Sequence, residues 1–237
     1  MIPLLITGTD TEVGKTLLTT ALIAYWQQYC DPAQLGVMKL MQAGEGDGEL
    51  YQQLFDFAQP AETLVPLKFQ TPIAPPLAAE REGRSLDLTP VWQTYQQLTQ
   101  TYTQVIVEGV GGLGSPMTHE LTVADIGAMW RMMAVLVVPI RLGAVGQAVA
   151  NVALARQVKL PLRGLVLNCP EPLTPEQQAD WAPIELLMKL THLPVLGTLP
   201  YLNEGDRYNR ASLAQAAAHL DLAYLGIPTP RISLVSS

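Results

Sequence analysis

The chain has 237 residues, 49% of them hydrophobic, and a net charge of −7, a balance that fits one large globular domain over residues 1–237 with a substantial core. Its acidity and 6% aromatic content argue against a basic nucleic-acid-binding face, and no apolar run reaches the length of a membrane span. No basic leader precedes the first strand-like run, no basic amphipathic helix marks residues 228–237, and Cys30, Cys169, His119, His192 and His219 form no metal or redox motif, so a cytoplasmic protein with reduced thiols is expected.

The apolar run Ile2-Pro3-Leu4-Leu5-Ile6-Thr7 reads as a buried strand. It leads into Gly8-Thr9-Asp10-Thr11-Glu12-Val13-Gly14-Lys15-Thr16. A strand, a glycine-containing turn ending Gly-Lys-Thr and a helix make a phosphate-binding loop. Backbone N–H groups and the helix N-terminus face phosphates there. Lys15 can reach the terminal phosphates as a point charge, and the Thr16 hydroxyl can ligate Mg²⁺. The spacing departs from the usual pattern. Counting back from Gly14-Lys15-Thr16, the first glycine position falls on Thr9, with Gly8 one residue earlier.

A helix is expected from Lys15 to Gln28, with Leu18, Ala21, Leu22 and Tyr25 at helical spacing. Leu35-Gly36-Val37-Met38 then reads as a strand with Lys39 at its end, a position that aims a lysine at phosphates or leaves it as a solvated charge. Asp47 precedes a helix expected from Glu49 to Phe57 and suits either helix capping or metal ligation. Residues 59–90 carry six of the 19 prolines. Thr71 to Arg84 reads there as a semi-rigid substrate loop or as a plain connector. Val105-Ile106-Val107 is a strand closed by Glu108 and followed by Gly109-Val110-Gly111-Gly112. An acid there suits Mg²⁺ beside glycines that permit close backbone approach, or is an ordinary strand-end acid.

Val135-Leu136-Val137-Val138, Leu165-Val166-Leu167 and Val195-Leu196-Gly197 complete the strand series. Helices are expected over Val145–Val158 and Pro175–Leu190, the latter opened by Thr174 as N-cap. Asn168 ends its strand and either reads a base edge or makes a turn. Strand and helix alternation predicts an α/β fold, a doubly wound, mostly parallel sheet of the P-loop NTPase kind. Ligands then gather at the C-terminal strand ends, where the phosphate loop, Lys39, Glu108 and Asn168 fall.

These pieces carry a resemblance. The loop Gly8–Thr16, the Lys39 to Gly44 turn with Asp47, Ala74-Pro75-Pro76 with Glu82-Gly83-Arg84, Val107-Glu108-Gly109-Val110-Gly111-Gly112, Leu142-Gly143, Asn168 and Gly197-Thr198-Leu199-Pro200 are together similar to the dethiobiotin synthetases. The resemblance implies an ATP-dependent ligase of biotin synthesis that acts on 7,8-diaminopelargonic acid and CO₂ through a carbamate and a carbamic–phosphoric anhydride. It implies Lys15 and Lys39 on the carbamate and transferred phosphate, and Mg²⁺ on Thr16, Asp47 and Glu108. It places Thr11 and Glu12 by the diamine and phosphate. ATP would lie along Gly8, Thr9, Asp10, Thr11, Glu12, Val13, Gly14, Lys15 and Thr16, with Asn168 and Pro200 on its nucleoside side. It also implies a homodimer in which the start of a helix near Leu142-Gly143-Ala144-Val145 meets the substrate carboxylate of the partner.

Three positions depart from the family pattern. Leu40 replaces a common proline, Ala43 a serine before the glycine, and Gly146 an asparagine. All three fall on the diamine side, so weaker diamine binding with an unaltered nucleotide half is expected. The runner-up is an ATPase switch of the partitioning or septum-positioning kind, which shares the fold. Such proteins usually carry an early lysine in the loop, where this chain has Thr9 to Val13 without one.

Overall fold

A computed structural model describes residues 2–228; apart from Pro228, the segment 228–237 lies outside the described residues. In chain order the elements are β1 (Leu4–Gly8), α1 (Lys15–Tyr29), β2 (Leu35–Lys39), β3 (Gln42–Ala43), α2 (Asp47–Leu54), β4 (Lys68–Phe69), α3 (Pro75–Arg81), α4 (Thr89–Thr101), β5 (Gln104–Glu108), α5 (Val123–Met129), β6 (Met133–Pro139), α6 (Ala144–Gln157), β7 (Leu162–Asn168), α7 (Pro175–Trp181), α8 (Ile184–Thr191), β8 (Val195–Leu199), α9 (Glu204–Arg207), α10 (Arg210–Ala217) and α11 (Leu222–Leu225).

Six strands form one sheet in the order β2-β5-β1-β6-β7-β8, every neighbouring pair parallel. Parallel strands need crossover helices, so both faces are covered and the strands read as near-continuous apolar runs. The period of two sorts the side chains. Leu4, Ile6, Val37, Ile106, Val135 and Val166 face the layer of α1 and α10. Leu5, Met38, Val105 and Val107 face the opposite layer, with α4 and α5. Leu136, Val138, Leu165 and Leu167 continue that far face under α6 and α8. The same alternation puts Lys39 and Glu108 on the α1 side.

The chain reverses direction across the sheet at β1, whose neighbours are β5 and β6. A crevice opens at such a switch point beyond the C-terminal strand ends. The phosphate loop leaves β1 there.

Three expectations change in the structure. The stretch 175–190 is two helices, broken at Ala182-Pro183, because proline drives the preceding residue out of the helical region. Ala182 takes φ −138° and ψ 63°. The segment 71–84 is not a loop throughout, since α3 occupies 75–81 with Ala78 and Ala79 buried. Pro75 and Pro76 sit in its first turn, where missing N–H groups cost nothing. The helix expected over 49–57 starts two residues earlier and stops at Leu54. Among the described residues, no helix is long and apolar enough to cross a membrane, and Cys30 and Cys169 are free thiols.

Candidate functional site

The phosphate loop is locked by packing at its ends. A side chain on Gly8 would meet Val13 Cγ2 at 2.3 Å. Gly14 has φ +103°, and a Cβ there would meet Asn168 Nδ2 at 2.3 Å. Glycine is thus required at both ends, one for contact and the other for contact and backbone angle. Val13 is fully buried and anchors the loop. Thr11 and Glu12 are exposed at its crest, with Glu12 in the left-handed region at φ 58°. Asp10 is also exposed and lies 3.6 Å from Arg141, while Asn151 Nδ2 donates to the Thr9 carbonyl at 3.3 Å.

Lys15 is 6% exposed, and its Nζ donates to the Asp10 carbonyl at 3.0 Å. Burial pushes its pKa down, and nearby Lys39 adds to that, against partial compensation from Glu108. Next along the chain, Thr16 Oγ1 stands 2.8 Å from Asp47 Oδ1 and 2.9 Å from Glu108 Oε1. One hydroxyl proton cannot serve both carboxylates at once.

Lys39 is not a solvated charge. The β2–β5 register sets it directly beside Glu108. Its Nζ donates to Glu108 Oε1 at 2.9 Å and also to Asp47 Oδ2. Burial alone would lower its pKa, but the Glu108 and Asp47 carboxylates outweigh burial and hold it above the ordinary value. Asp47 opens α2, with Gly46 as the preceding cap residue, so it is a first-turn residue whose carboxylate faces Lys39 and Thr16. Glu108 has no exposed surface. Two lysines and two carboxylates thus share one small region.

The hydroxyl of Thr16 and the carboxylates of Asp47 and Glu108 form an all-oxygen donor set, which suits a hard divalent cation. Among the described residues, no group of three or more His, Cys, Asp or Glu side chains could hold a metal. A cation here therefore needs oxygens from elsewhere, as Mg²⁺ takes from water and phosphate.

Two cavities meet at the loop. One, of about 470 Å³, is lined by Thr11, Glu12, Lys15, Thr16, Lys39, Ala43, Asp47 and Glu108, with Pro72, Ile73, Ala74 and Pro75 on its far wall. The other, of about 530 Å³, is lined by Glu12, Gly14, Lys15, Thr16, Leu50, Asn168, Arg207 and Tyr208. Glu12, Lys15 and Thr16 belong to both. Asn168 is 4% exposed; its Nδ2 donates to the Val13 carbonyl at 3.0 Å, and its Oδ1 is buried without a partner. Pro200 falls outside both cavities, beside Cys169, Thr198 and Tyr201.

Glu82 and Arg84 act at a distance. Glu82 Oε1 accepts the backbone N–H groups of Gln70 and Thr71 at 2.7 and 2.8 Å. Arg84 Nη1 donates to the Lys68 carbonyl at 2.6 Å. Together they clasp 68–71 and so fix the wall at 72–75. Of the departures, Ala43 lines the first cavity, and Gly146 is exposed with open space around it. Leu40 is fully buried, and its N–H donates to the Glu108 carbonyl at 2.9 Å. That bond restrains the turn by a donor that proline lacks.

Two residues at the site give no motif signal. Gln42 is 3% exposed; its amide donates to the Gly44 carbonyl at 3.0 Å and Glu49 Oε2 at 2.7 Å, and accepts from the Gly48 N–H at 2.9 Å. It thereby holds the turn that presents Asp47. Tyr51 is fully buried and donates its hydroxyl to Glu108 Oε2. Burial, then the Glu108 charge, push its pKa well above the ordinary value, so it stays a donor. The only available signal for Tyr51 is its place one turn after Asp47.

The family model described as an AAA domain matches residues 3–208. ATP-dependent dethiobiotin synthetase BioD of Gloeothece citriformis is 56% identical over 225 residues, covering 95% of this chain and 99% of that protein. The protein of the same description from Synechocystis is 54% identical over 222 residues, covering 94% of each. Among solved structures, the MinD cell division protein of Aquifex aeolicus is similar, with a TM-score of 0.58 and 13% identity, over 97% of this chain and 99% of that one. At that identity the likeness speaks for the P-loop fold alone.

Proposed function

This chain belongs to the ATP-dependent dethiobiotin synthetases, and from that premise we propose that it is a cytoplasmic ligase of biotin synthesis, making dethiobiotin from 7,8-diaminopelargonic acid, CO₂ and ATP. The observation that carries the reading is the grouping of Lys15, Thr16, Lys39, Asp47 and Glu108 at the seam between two cavities. One cavity offers room for the diamine, the other for the nucleotide.

In the proposed sequence, one amine adds to CO₂ and loses a proton, giving a carbamate. A carbamate oxygen attacks the γ-phosphorus of ATP, and ADP leaves. The second amine attacks the carbamate carbon, loses its proton and expels phosphate, closing the ring. The carbamate, the γ-phosphate and the mixed anhydride are all anionic. Phosphoryl transfer needs positioning and charge neutralisation more than covalent help. Lys15 and Lys39 supply fixed positive charge to the carbamate and the transferred group. Thr16, Asp47 and Glu108 would hold Mg²⁺, which when bound neutralises charge on the phosphate oxygens. Thr11 and Glu12 line the diamine and phosphate side. The unpartnered Oδ1 of Asn168 is an acceptor suited to the exocyclic amino group of adenine. Pro200 is assigned to the nucleoside on the family resemblance alone.

Purified protein is expected to release phosphate from ATP only when diamine and bicarbonate are both present. Hydrolysis stimulated by DNA or lipid, and indifferent to the diamine, would place the chain with the septum-positioning ATPases instead.

We also assign a homodimer, with the partner's start of α6 receiving the substrate carboxylate. Support comes from the N-terminal end of α6, where Leu142 is 84% exposed. The outer face of α6 carries Gly146, Ala150 and Ala153, all exposed and small enough for close approach. Sedimentation at assay concentration should give a dimer mass; a fully active monomer would overturn the assignment.

A further inference from the structure

We propose that Tyr51 is a positioning residue that orients Glu108 for the divalent cation, a role that rests on the functional reading above. The two oxygens of Glu108 have separate partners. Oε1 stands 2.9 Å from both Thr16 Oγ1 and Lys39 Nζ. Oε2 accepts the Tyr51 hydroxyl. A carboxylate pinned at one oxygen cannot turn about its last side-chain bond. The Tyr51 hydroxyl therefore keeps Oε1 turned toward Thr16 and Asp47, where the cation would sit.

The helix α2 makes this coupling short. Asp47 opens it, and Tyr51 follows one turn later on the face buried with Leu54. One eight-residue helix thus contributes a carboxylate directly and orients a second one through a phenol. The Tyr51 ring is fully buried in the layer with Val37 and Ile106, and phenylalanine would fill the same space. What tyrosine adds is the hydroxyl, which is costly to bury unless it meets an acceptor. Glu108 is that acceptor, and it in turn gains a donor for an oxygen sealed from water.

Partners that orient a metal ligand typically contribute about 10- to 100-fold to metal affinity. The test is Tyr51→Phe, with Mn²⁺ as the probe in the presence of ADP, followed by electron paramagnetic resonance, alongside thermal unfolding. The expected result is a folded protein whose Mn²⁺ affinity falls by about tenfold or more. The Mg²⁺ concentration for half-maximal phosphate release should rise in parallel, with the KM for the diamine unchanged. Wild-type Mn²⁺ affinity in a variant that only unfolds at lower temperature would overturn the proposal. A Tyr51→Phe chain that does not fold would also overturn it, because the hydroxyl would then serve stability. The Mn²⁺ measurement needs no diamine. If wild-type protein binds Mn²⁺ with ADP yet releases no phosphate with the diamine, the functional reading fails while this coupling can still be read from the variant.

Discussion

Lys15→Gln is expected to lower turnover by about 10²- to 10³-fold or more, while the unfolding midpoint stays at or above that of the wild type. The two halves of this result have different causes. Lys15 lines both cavities, so its charge is available to phosphate and carbamate oxygens, and glutamine cannot supply it. For stability the sign runs the other way. Burial lowers the Lys15 pKa below its usual 10.5. A base whose pKa falls on folding carries an unfavourable charge in the folded state. That cost is full below the folded value, fades as pH rises, and is gone above 10.5. While Lys15 is protonated the folded protein therefore bears a charge that it holds at a loss, and the neutral variant does not. Phosphate-release kinetics with thermal unfolding check both halves. An unfolded circular dichroism spectrum for Lys15→Gln would show that the lysine supports the fold rather than the chemistry.

What was legible in the sequence follows how local each cause is. The phosphate loop is set by residues within one turn of each other, so Gly8, Gly14, Lys15 and Thr16 can be read from spacing alone. The strands announce themselves because both faces of a parallel sheet are buried. Lys39 and Glu108 could be placed at strand ends, but their contact spans 69 positions. It exists only because β5 lies between β1 and β2, an order that periodicity does not encode. Asp47 illustrates the same gap. A first-turn acid reads equally as a cap or a ligand until its neighbours across the sheet are known.

The errors have physical reasons too. Pro75 and Pro76 were evidence for a loop, yet proline is at home in a first helical turn, and α3 starts there. Pro183 lay inside a helical period that it interrupts. Tyr51 carries no motif that marks it in the sequence. Its hydroxyl acquires a role only once Glu108 is brought under it. At Leu40 the turn gains a backbone bond from its N–H to the Glu108 carbonyl, a tertiary feature that local sequence does not carry.

Glu108→Gln should affect both metal and stability, with a stability change opposite in sign to that of Lys15→Gln. The Mg²⁺ concentration for half-maximal phosphate release is expected to rise by at least about tenfold, since an amide is a poorer ligand than a carboxylate for a hard cation. The unfolding midpoint should fall as well. Removing Glu108 takes one of two carboxylates from the buried Lys39 ammonium, leaving Asp47. Stripping a buried pair of one partner costs about 3–5 kcal/mol. The remaining Asp47 contact brings the expected loss nearer to about 1–3 kcal/mol. The amide cannot satisfy all its neighbours in either orientation. With its oxygen toward Lys39, its NH₂ faces the Tyr51 hydroxyl, which must then accept rather than donate. With its NH₂ toward Lys39, two donors oppose each other. Metal titration of phosphate release and thermal unfolding of the same preparation check the prediction. Wild-type metal dependence would remove Glu108 from the cation site. An unchanged midpoint would show that Asp47 alone satisfies Lys39. Loss of turnover with a falling midpoint here, and with a steady or rising one for Lys15→Gln, would separate a charge that the fold depends on from one that it holds at a cost.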